Sequence, residues 1–290
     1  MQPTVVLFTQ NIFEADAEIL LLGEYQGKQW LVTDQTPFHP VSHLWADHPA
    51  DRGYVERQGQ RTLVVDCLTA AYHQESGELQ IDSAITARRG EEGWIFVVVH
   101  LLQDAIDVRV GDKLIWQVDE DYQASLSRGH TAGHLASMAL NKVLAAAYWR
   151  KEADRRDPLG HPDFNSYAQQ SSQVTPDQCV DIYRLGKTLR KRGLNAADVL
   201  ADLESIAEAV NVQLTAWVSS KADVDIQHDG PLLTDSRYWR CHLPAEDGLA
   251  VMPCGGTHVQ TLACFDKISV ELSVSDVQSI VMTTRTYGYE

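Results

Sequence analysis

The sequence predicts an α+β fold in which a β-rich first part is followed by helices and then by further strands. From Thr4 to about Trp116, short apolar runs alternate with turn residues, a pattern typical of antiparallel strands. From Asp121 onward, stretches rich in Ala, Leu and Met indicate helices, and strand patterns return after Arg237. We therefore expect a small β-barrel-like N-terminal domain over residues 1–118. A two-layer α/β domain, with a long helix and an antiparallel sheet, is expected over residues 119–290.

Five apolar runs predict the strands of the first part: TVVLF, AEILLLGEYQGKQWLVTD, TLVVDCLTAAYH, WIFVVVHLL and DKLIWQVD. One segment interrupts them. Residues 36–54, TPFHPVSHLWADHPADRGY, contain three prolines and three histidines and predict an ordered loop.

The longest helix pattern of the second part is DYQASLSRGHTAGHLASMALNKVLAAAYWRK, with an expected start near Ser125 or Ser127 and an end near Lys151. Helix breakers and polar residues over 154–176 predict a loop. Two more helices are expected, over 176–193 and over 195–218.

Composition narrows the classes of function. The chain has 290 residues, of which 44% are hydrophobic, so it can bury a full core. Its 24 Lys and Arg residues stand against 40 Asp and Glu residues, and the net charge of −16 excludes bulk attraction to nucleic acid or anionic lipid. A nucleic-acid partner would therefore need a local basic patch.

The sequence also bears on location. No apolar run approaches the roughly 18 residues of a membrane span, and acidic residues break up the N-terminal segment, so neither a membrane span nor secretion is expected. Five cysteines, odd in number and irregularly spaced, argue against a disulfide framework and favour a reducing cytoplasm. We expect a cytoplasmic protein whose cysteines are available as ligands or nucleophiles.

The first chemical motif is a histidine pair on the predicted long helix. His130 and His134 lie four residues apart, which separates them by roughly 40° around the helix axis and roughly 6 Å along it. Both imidazoles then face the same way, as a divalent metal requires. Chance alone would give such a pair about 0.4 times in this composition, so ordinary helix contacts explain the pair alone equally well.

The second motif, Pro253-Cys254-Gly255-Gly256-Thr257-His258, has the same four-residue spacing between Cys254 and His258. The two glycines predict a tight turn after the strand LAVMP, which lets both side chains converge. Three imidazole nitrogens and one thiolate sulfur suit Zn²⁺, which favours tetrahedral coordination by such ligands. Together the two motifs indicate a metal site much more strongly than either alone.

HTAGHL at 130–135 and PCGGTHV at 253–259 resemble the paired H-x-x-x-H and C-x-x-x-H motifs of the freestanding alanyl-tRNA editing proteins. Those proteins are related to the editing domains of alanyl- and threonyl-tRNA synthetases. The resemblance covers residues 110–290 and includes VGDKLIWQVDEDYQASLSRGHTAGHL, DLESIAEAVNVQL and RYWRCHL. It implies one Zn²⁺ per chain, held by His130, His134, Cys254 and His258. It also implies hydrolysis of mischarged tRNA, with serine or glycine on tRNA(Ala) as the expected substrate.

The first part resembles this family less closely. TPFHP at 36–40 and DHPADRG at 47–53 are similar to the flanks of the family's glycine-rich motif, but VSHLWA replaces the glycines between them. A second metal site formed by His39, His43 and His48 is the less favoured interpretation, because no cysteine or carboxylate cluster frames them. Another possibility is that they line the mouth of the active site in place of the missing glycines. Cys241 and His242 fall on a predicted strand, where successive side chains face opposite ways, and are expected to be structural.

The predicted chemistry is simple, because an aminoacyl ester is already activated and needs a water nucleophile and a stabilised oxyanion. Zn²⁺ can supply both. Four protein ligands are typical of a structural site, whereas catalytic zinc keeps an open position. A catalytic role therefore requires either a weakly held ligand, with Cys254 or His258 the candidates, or a fifth ligand.

Candidate substrate contacts flank the ligands. Thr131 and Thr257 could contact the amino acid of the substrate, or could serve only in helix back-bonding and turn capping. Gly255 and Gly256 could donate backbone N–H groups to the oxyanion, or could simply permit the turn. The sequence does not decide between these alternatives.

Two basic groups are candidates for contacts with tRNA phosphates, the alternative being solvated helix surfaces. The first comprises Arg184, Lys187, Arg190, Lys191 and Arg192; the second comprises Arg150, Lys151, Arg155 and Arg156. No G-x-x-x-x-G-K-[ST] motif occurs, so an ATP site is not expected. Two alternatives to tRNA deacylation stay open: a metal-dependent hydrolase of a small aminoacyl ester or amide, and an RNA- or ligand-binding module with structural zinc. The oligomeric state cannot be inferred from the sequence.

Overall fold

The computed structural model describes residues 1–244, 246 and 248–288, so the end of the second predicted domain lies outside the described residues. The chain divides into two compact units. Unit 1 comprises Met1–Ala124, His228–Arg237 and Gly255–Thr257. Unit 2 comprises Ser125–Gln227, Tyr238–Cys254 and His258–Glu290.

Unit 1 is built mainly from antiparallel strands, as its alternating apolar runs predict. Its strands are β1 Val5–Val6, β2 Glu14–Tyr25, β3 Lys28–Thr33, β4 Gln35–Thr36, β5 Gly53–Arg57, β6 Gln60–His73, β7 Leu79–Ile81, β8 Trp94–Leu102 and β9 Lys113–Val118. Seven of them form one sheet in the order β5-β9-β2-β3-β8-β6-β7. β5 also pairs with β6. Each of the six strands β5, β9, β2, β3, β8 and β6 therefore pairs with two others of this set. The run TVVLF forms only a two-residue strand and is followed by a short 3-10 helix.

Unit 1 has more than one buried cluster: Val98 belongs to the cluster around Trp116, whereas its neighbours Val97 and Val99 belong to another. Along β9, Leu114, Trp116 and Val118 are buried while the residues between them are more exposed, which is the two-residue period of a half-buried strand. The Trp116 indole N–H donates to Thr33 Oγ1 at 3.0 Å, and His100 stacks on the indole at 4.2 Å.

The histidine-rich loop before β5 is ordered by one buried carboxylate. Asp51 Oδ2 accepts hydrogen bonds from the His39 N–H at 2.7 Å and from Gln123 Nε2 at 2.6 Å. Burial raises the pKa of Asp51 to about 7. At the end of the loop, a Cβ on Gly53 would lie 2.1 Å from the Gln117 carbonyl oxygen, so this approach of two strands requires glycine.

The remaining elements lie wholly or largely in unit 2. Its helices are α1 Glu120–Ala147, α2 Phe164–Ala168, α3 Lys187–Lys191, α4 Ala196–Ala201 and α5 Leu203–Ser219. Its strands are β10 Gln169–Thr175, β11 Gln178–Arg184, β12 Val224–His228, β13 Arg237–Cys241, β14 Ala250–Pro253, β15 Lys267–Asp276 and β16 Ser279–Tyr287. Four strands form an antiparallel sheet in the order β10-β11-β16-β15, and α5 packs against β15. The predicted α+β class is confirmed.

The helix predicted over 176–193 is wrong for most of its length. Residues 178–184 form β11, which pairs with β10 on one side and β16 on the other, and only 187–191 are helical. Cys179, Asp181 and Tyr183 are buried, with partly exposed residues between them, and this is a strand period. The predicted loop over 154–176 likewise contains β10. β11 is stabilised by pairing with the distant β16, and β10 pairs with β11 across the turn at 176–177; local propensity does not record these pairings.

The long helix is confirmed, although its bounds differ from the prediction. α1 begins at Glu120 because Asp119 Oδ1 accepts the Tyr122 N–H at 3.0 Å and so caps the helix before the serines. It ends at Ala147, before the predicted Lys151. The helix predicted over 195–218 is divided at Asp202 into α4 and α5. Among the described residues, no helix combines the length and apolarity that crossing a membrane needs.

Candidate metal centre

The long helix α1 brings His130 and His134 together. Their ring centroids lie 4.7 Å apart, as the four-residue spacing predicts. Glycines let the helix pack closely in unit 2: a Cβ on Gly129 would lie 2.7 Å from the Gln178 carbonyl oxygen, and one on Gly133 would lie 2.8 Å from Cys179 Sγ. The close packing of α1 against the β10–β11 hairpin therefore fixes where the two histidines sit.

The end of β14 supplies the other two ligands. Cys254 follows the last residue of this strand, and its Sγ lies 3.2 Å from His258 Nε2 and 3.4 Å from His130 Nε2. The potential ligand atoms of His130, His134, Cys254 and His258 all lie within 4.8 Å of one another. The structure therefore brings together all four metal ligands that the sequence predicts, and this cluster could hold one metal ion.

Two of the spacings between these atoms are close to those around a tetrahedral ion. Bonds of about 2.05 Å to nitrogen and 2.3 Å to sulfur place neighbouring ligand atoms about 3.3–3.6 Å apart at tetrahedral angles. The two measured distances between Cys254 Sγ and imidazole nitrogens are close to that range. Three imidazoles and a thiolate also match the donor preference of Zn²⁺.

Thr131 contacts the ring nitrogen of His258 that does not face Cys254. Its hydroxyl oxygen lies 3.1 Å from His258 Nδ1 and accepts the Val259 N–H at 3.2 Å. Because His258 presents Nε2 to Cys254, its Nδ1 carries the proton and donates to Thr131 when Nε2 binds a metal. Thr131 thus fixes both the tautomer and the ring orientation of His258.

Trp239, which our sequence analysis did not single out, packs against the ligands. This fully buried side chain on β13 meets His134 edge to face at 5.3 Å and lies 6.3 Å from the His258 ring. An indole at this position excludes water from one side of the cluster. The available signal was its place between polar neighbours in RYWRCHL, where strand alternation predicts an inward-facing side chain.

Within unit 1, Thr257 contacts a histidine of the loop that departs from the family pattern. Its Oγ1 lies 3.3 Å from His48 Nε2, and His48 Nδ1 lies 2.8 Å from the Pro49 carbonyl oxygen. A carbonyl can only accept, so Nδ1 carries the proton of the neutral ring and Nε2 accepts from the threonine hydroxyl. Burial lowers the pKa of His48 to about 4, which keeps this ring neutral near pH 7.

The other loop histidines have separate surroundings. The His39 ring lies 4.4 Å from the His48 ring, and burial holds the pKa of His39 well below its usual value. His43 is half-buried against Phe96 at 5.9 Å. Among the described residues, none of these histidines belongs to a group of three or more candidate metal ligands.

An arginine lies beside the glycines of the ligand turn. A Cβ on Gly255 would lie 3.5 Å from Arg237 Nη2, and this guanidinium donates to the Leu233 carbonyl oxygen at 3.1 Å. Arg237 was not a candidate in our sequence analysis. Cys241 and His242 lie apart from the ligand cluster: Cys241 is in the core of unit 2, and burial raises its pKa to about 12.

The candidate tRNA-binding cations fall into different environments. Arg192 pairs with Asp154 at 3.5 Å and lies over the Tyr167 ring at 4.4 Å, and Arg156 pairs with Glu152 at 3.8 Å. Among the described residues, four cations of the first group form no ion pair: Arg184, Lys187, Arg190 and Lys191.

No protein-family model matches the chain. The chain is similar to alanine–tRNA ligases, at 24% identity over 257 residues for Methanobrevibacter smithii and 25% over 261 residues for Methanothermobacter thermautotrophicus. These alignments cover 87% and 88% of this chain and 23% of each ligase. The ligase of Lactococcus lactis subsp. cremoris is 23% identical over 274 residues, which are 93% of this chain and 26% of the ligase. The chain thus spans about a quarter of the length of these relatives, and the similarity extends beyond residues 110–290.

Proposed function

We propose that this protein is a Zn²⁺-dependent hydrolase that deacylates mischarged tRNA in trans, with serine or glycine on tRNA(Ala) as its substrate. The observation that carries the proposal is the convergence of His130, His134, Cys254 and His258. The similarity to alanine–tRNA ligases supports a tRNA as the carrier of the ester.

The proposed metal site consists of two histidines on one helix and a cysteine and a histidine on one turn. Zn²⁺ bound there would lower the pKa of a water molecule and polarise an ester carbonyl. The protein's own part is to hold the ligand rings in place. Thr131 does so for His258, and Trp239 keeps water from one side of His134.

We propose that the turn between the last two ligands contacts the substrate. Gly255 and Gly256 carry backbone N–H groups without side chains in the way, and we assign these groups to the oxyanion that forms during hydrolysis. Thr257 donates its hydroxyl proton to His48, and we assign its side chain to contacts with the amino acid of the substrate, whose polar groups include hydrogen-bond donors. The α-ammonium of any aminoacyl group and the hydroxyl of serine are both such donors.

The proposal is tested by deacylation assays with seryl-, glycyl- and alanyl-tRNA(Ala), together with metal analysis. We expect about one Zn²⁺ per chain and faster hydrolysis of the seryl and glycyl esters than of the alanyl ester. His130→Ala and Cys254→Ala should lose both zinc and activity.

Matched controls are His242→Ala and Cys264→Ala, which remove the same residue types outside the cluster. They should retain zinc and activity. Full zinc occupancy in both ligand variants would show that the assigned site is wrong.

A second candidate function follows from the ligand count. Four protein ligands make a closed site, which is typical of structural zinc, and an RNA- or ligand-binding module would need nothing more. Zinc-loaded protein that binds tRNA but hydrolyses neither aminoacyl-tRNA nor a small aminoacyl ester would establish this alternative.

A further inference from the structure

Unit 2 has a polar cleft of about 490 Å³ beside the start of α3. Among the residues that line it are four with long polar side chains at its exposed surface: Gln170, Arg184, Lys187 and Gln278. They come from β10, the end of β11, the start of α3 and the turn between β15 and β16. Residues far apart in sequence therefore converge on one place, which we call the Arg184 cleft.

All four side chains are exposed, and none makes a hydrogen bond or an ion pair to another part of the described chain. This contrasts with other arginines of this acidic protein. Arg57, Arg128 and Arg285 pair with carboxylates at 2.7, 2.6 and 2.8 Å. With a net charge of −16, the chain has carboxylates in excess, yet neither cation of the cleft forms an ion pair, although Arg184 lies near enough to Asp276 for their charges to attract.

A β-bulge contributes to the shape of this cleft. The register of β10 against β11 shifts between Gln169 and Ser171, and Gln170 is the additional residue. Bulges redirect a side chain that would otherwise alternate with its neighbours. Here the redirected amide lines the cleft with Arg184.

The chemistry of the lining favours a phosphodiester. Arginine and lysine are donors only and carry positive charge, so they bind phosphate oxygens. The glutamine amides can donate to phosphate oxygens or accept from a ribose hydroxyl. The adjoining cleft shares Gln170, Arg184 and Gln278 but contains Asp276 in place of Lys187, so an anion is favoured on the Lys187 side of Arg184.

The distribution of charge favours a polymer over a free anion. Lys187, Arg190 and Lys191 are spaced three and four residues apart on α3, so they share one side of the helix. The cations therefore continue from the cleft along α3. A single phosphate would occupy only the first two, whereas a nucleic-acid backbone would meet them in succession.

We propose that the Arg184 cleft binds the sugar-phosphate backbone of RNA, with Arg184 and Lys187 contacting phosphates and Gln170 and Gln278 completing the site. This inference rests on the proposed function, for which it assigns the surface that binds the tRNA. It also explains how a strongly acidic protein can bind a polyanion: the contact is local.

The test is binding of a fluorescently labelled, unacylated tRNA(Ala) transcript, measured by anisotropy over a series of salt concentrations. Arg184→Ala/Lys187→Ala should weaken binding about 20- to 60-fold at 0.1 M salt and reduce the slope of log K against log salt by about 1.4–1.8. Gln170→Ala/Gln278→Ala should weaken binding with little change in slope, because it removes hydrogen bonds and no charge.

The matched control is Arg240→Ala/Arg285→Ala, which changes the net charge by the same amount but removes arginines already paired with Asp225 and Glu271. Little effect of the control and a large effect of the cleft variant support the proposal. Equal losses in both would indicate diffuse attraction and overturn it. Binding of adenosine monophosphate in the cleft, with tRNA affinity unchanged in the variants, would overturn it in favour of a small ligand.

Failure of this inference is distinguishable from failure of the proposed function. A wild-type protein that deacylates seryl-tRNA while the cleft variant binds tRNA normally refutes only the cleft. A wild-type protein that binds tRNA through the cleft but hydrolyses no ester refutes the deacylase and leaves the cleft assigned. Zinc content and circular dichroism of each variant establish that it is folded.

Discussion

Replacing Thr131 with valine is the sharpest perturbation of the candidate metal centre that leaves all four proposed ligands in place. The side chain is fully buried, and valine has nearly its shape, so the change removes a hydroxyl without opening a cavity. Two interactions disappear: the contact at 3.1 Å to His258 Nδ1 and the hydrogen bond at 3.2 Å from the Val259 N–H.

The first loss should appear in metal affinity. Without an acceptor for its Nδ1 proton, the His258 ring is no longer fixed in the orientation that points Nε2 towards Cys254. Removing an outer partner of this kind costs about 10- to 100-fold in affinity, or about 1.4–2.7 kcal/mol. The second loss leaves a buried N–H unsatisfied and should lower the free energy of unfolding of the metal-free protein by about 1–3 kcal/mol.

Competition with a chromophoric chelator measures the zinc affinity, and urea unfolding of the metal-free protein measures the stability. Thr131→Ser keeps the hydroxyl and is the control; it should bind zinc much as the wild type does. If Thr131→Val binds zinc with wild-type affinity, then Thr131 does not orient a ligand, and His258 must be held in another way.

Three further predictions concern the packing of α1, the protonation of His48 and the removal of zinc. Gly133→Ala places a Cβ 2.8 Å from Cys179 Sγ and should lower the free energy of unfolding by about 1–3 kcal/mol; Cys179→Ala should restore part of that loss in a double-mutant cycle, and simple additivity would contradict the packing argument. Because burial lowers the pKa of His48 from 6.5 to about 4, stability contributed by its neutral form is present above pH 6.5 and is lost as the pH falls towards 4. His48→Asn should therefore lose less stability than the wild type over that range, by up to about 3 kcal/mol in urea unfolding, and parallel pH profiles would exclude the effect. Chelation of zinc should abolish hydrolysis while circular dichroism changes little, because cores of this size do not need a metal to fold; global unfolding would favour the structural-zinc alternative.

The ligand cluster could be predicted from sequence because each half of it depends on local geometry. A four-residue spacing on a helix and a Gly-Gly turn after a strand fix directions over a few residues, and the structure confirms that His130 and Cys254 converge. The supporting contacts of Thr131 and Trp239 were not predictable in this way. These contacts depend on which residues distant in sequence pack against each ligand. The periodicity of the local sequence carries no information on such packing.

The strands over 169–184 were not predicted for a similar reason: strand pairing is not recorded in the local sequence pattern. Alternation in QCVDIYR was present in the sequence, but our sequence analysis assigned residues 176–193 to one helix. The strand exists because β16 and β10 pair with it, residue by residue, from Gln178↔Arg285 to Arg184↔Ser279. Pairing across about 100 residues outweighs a weak local preference.

Because residues 178–184 form a strand and not a helix, the candidate tRNA-binding cations do not share one helix surface. On one continuous helix, the cations from Arg184 to Arg192 would form a single surface, and any three of them would test it equally well. In the structure Arg184 ends a strand, Lys187 begins a helix, and Arg192 turns to Asp154 and Tyr167. Replacing Arg192 would therefore break internal contacts and confuse stability with binding. Arg184 and Lys187 share a cleft and form no ion pair within the described chain, so their removal tests the proposed RNA contact without breaking an internal ion pair.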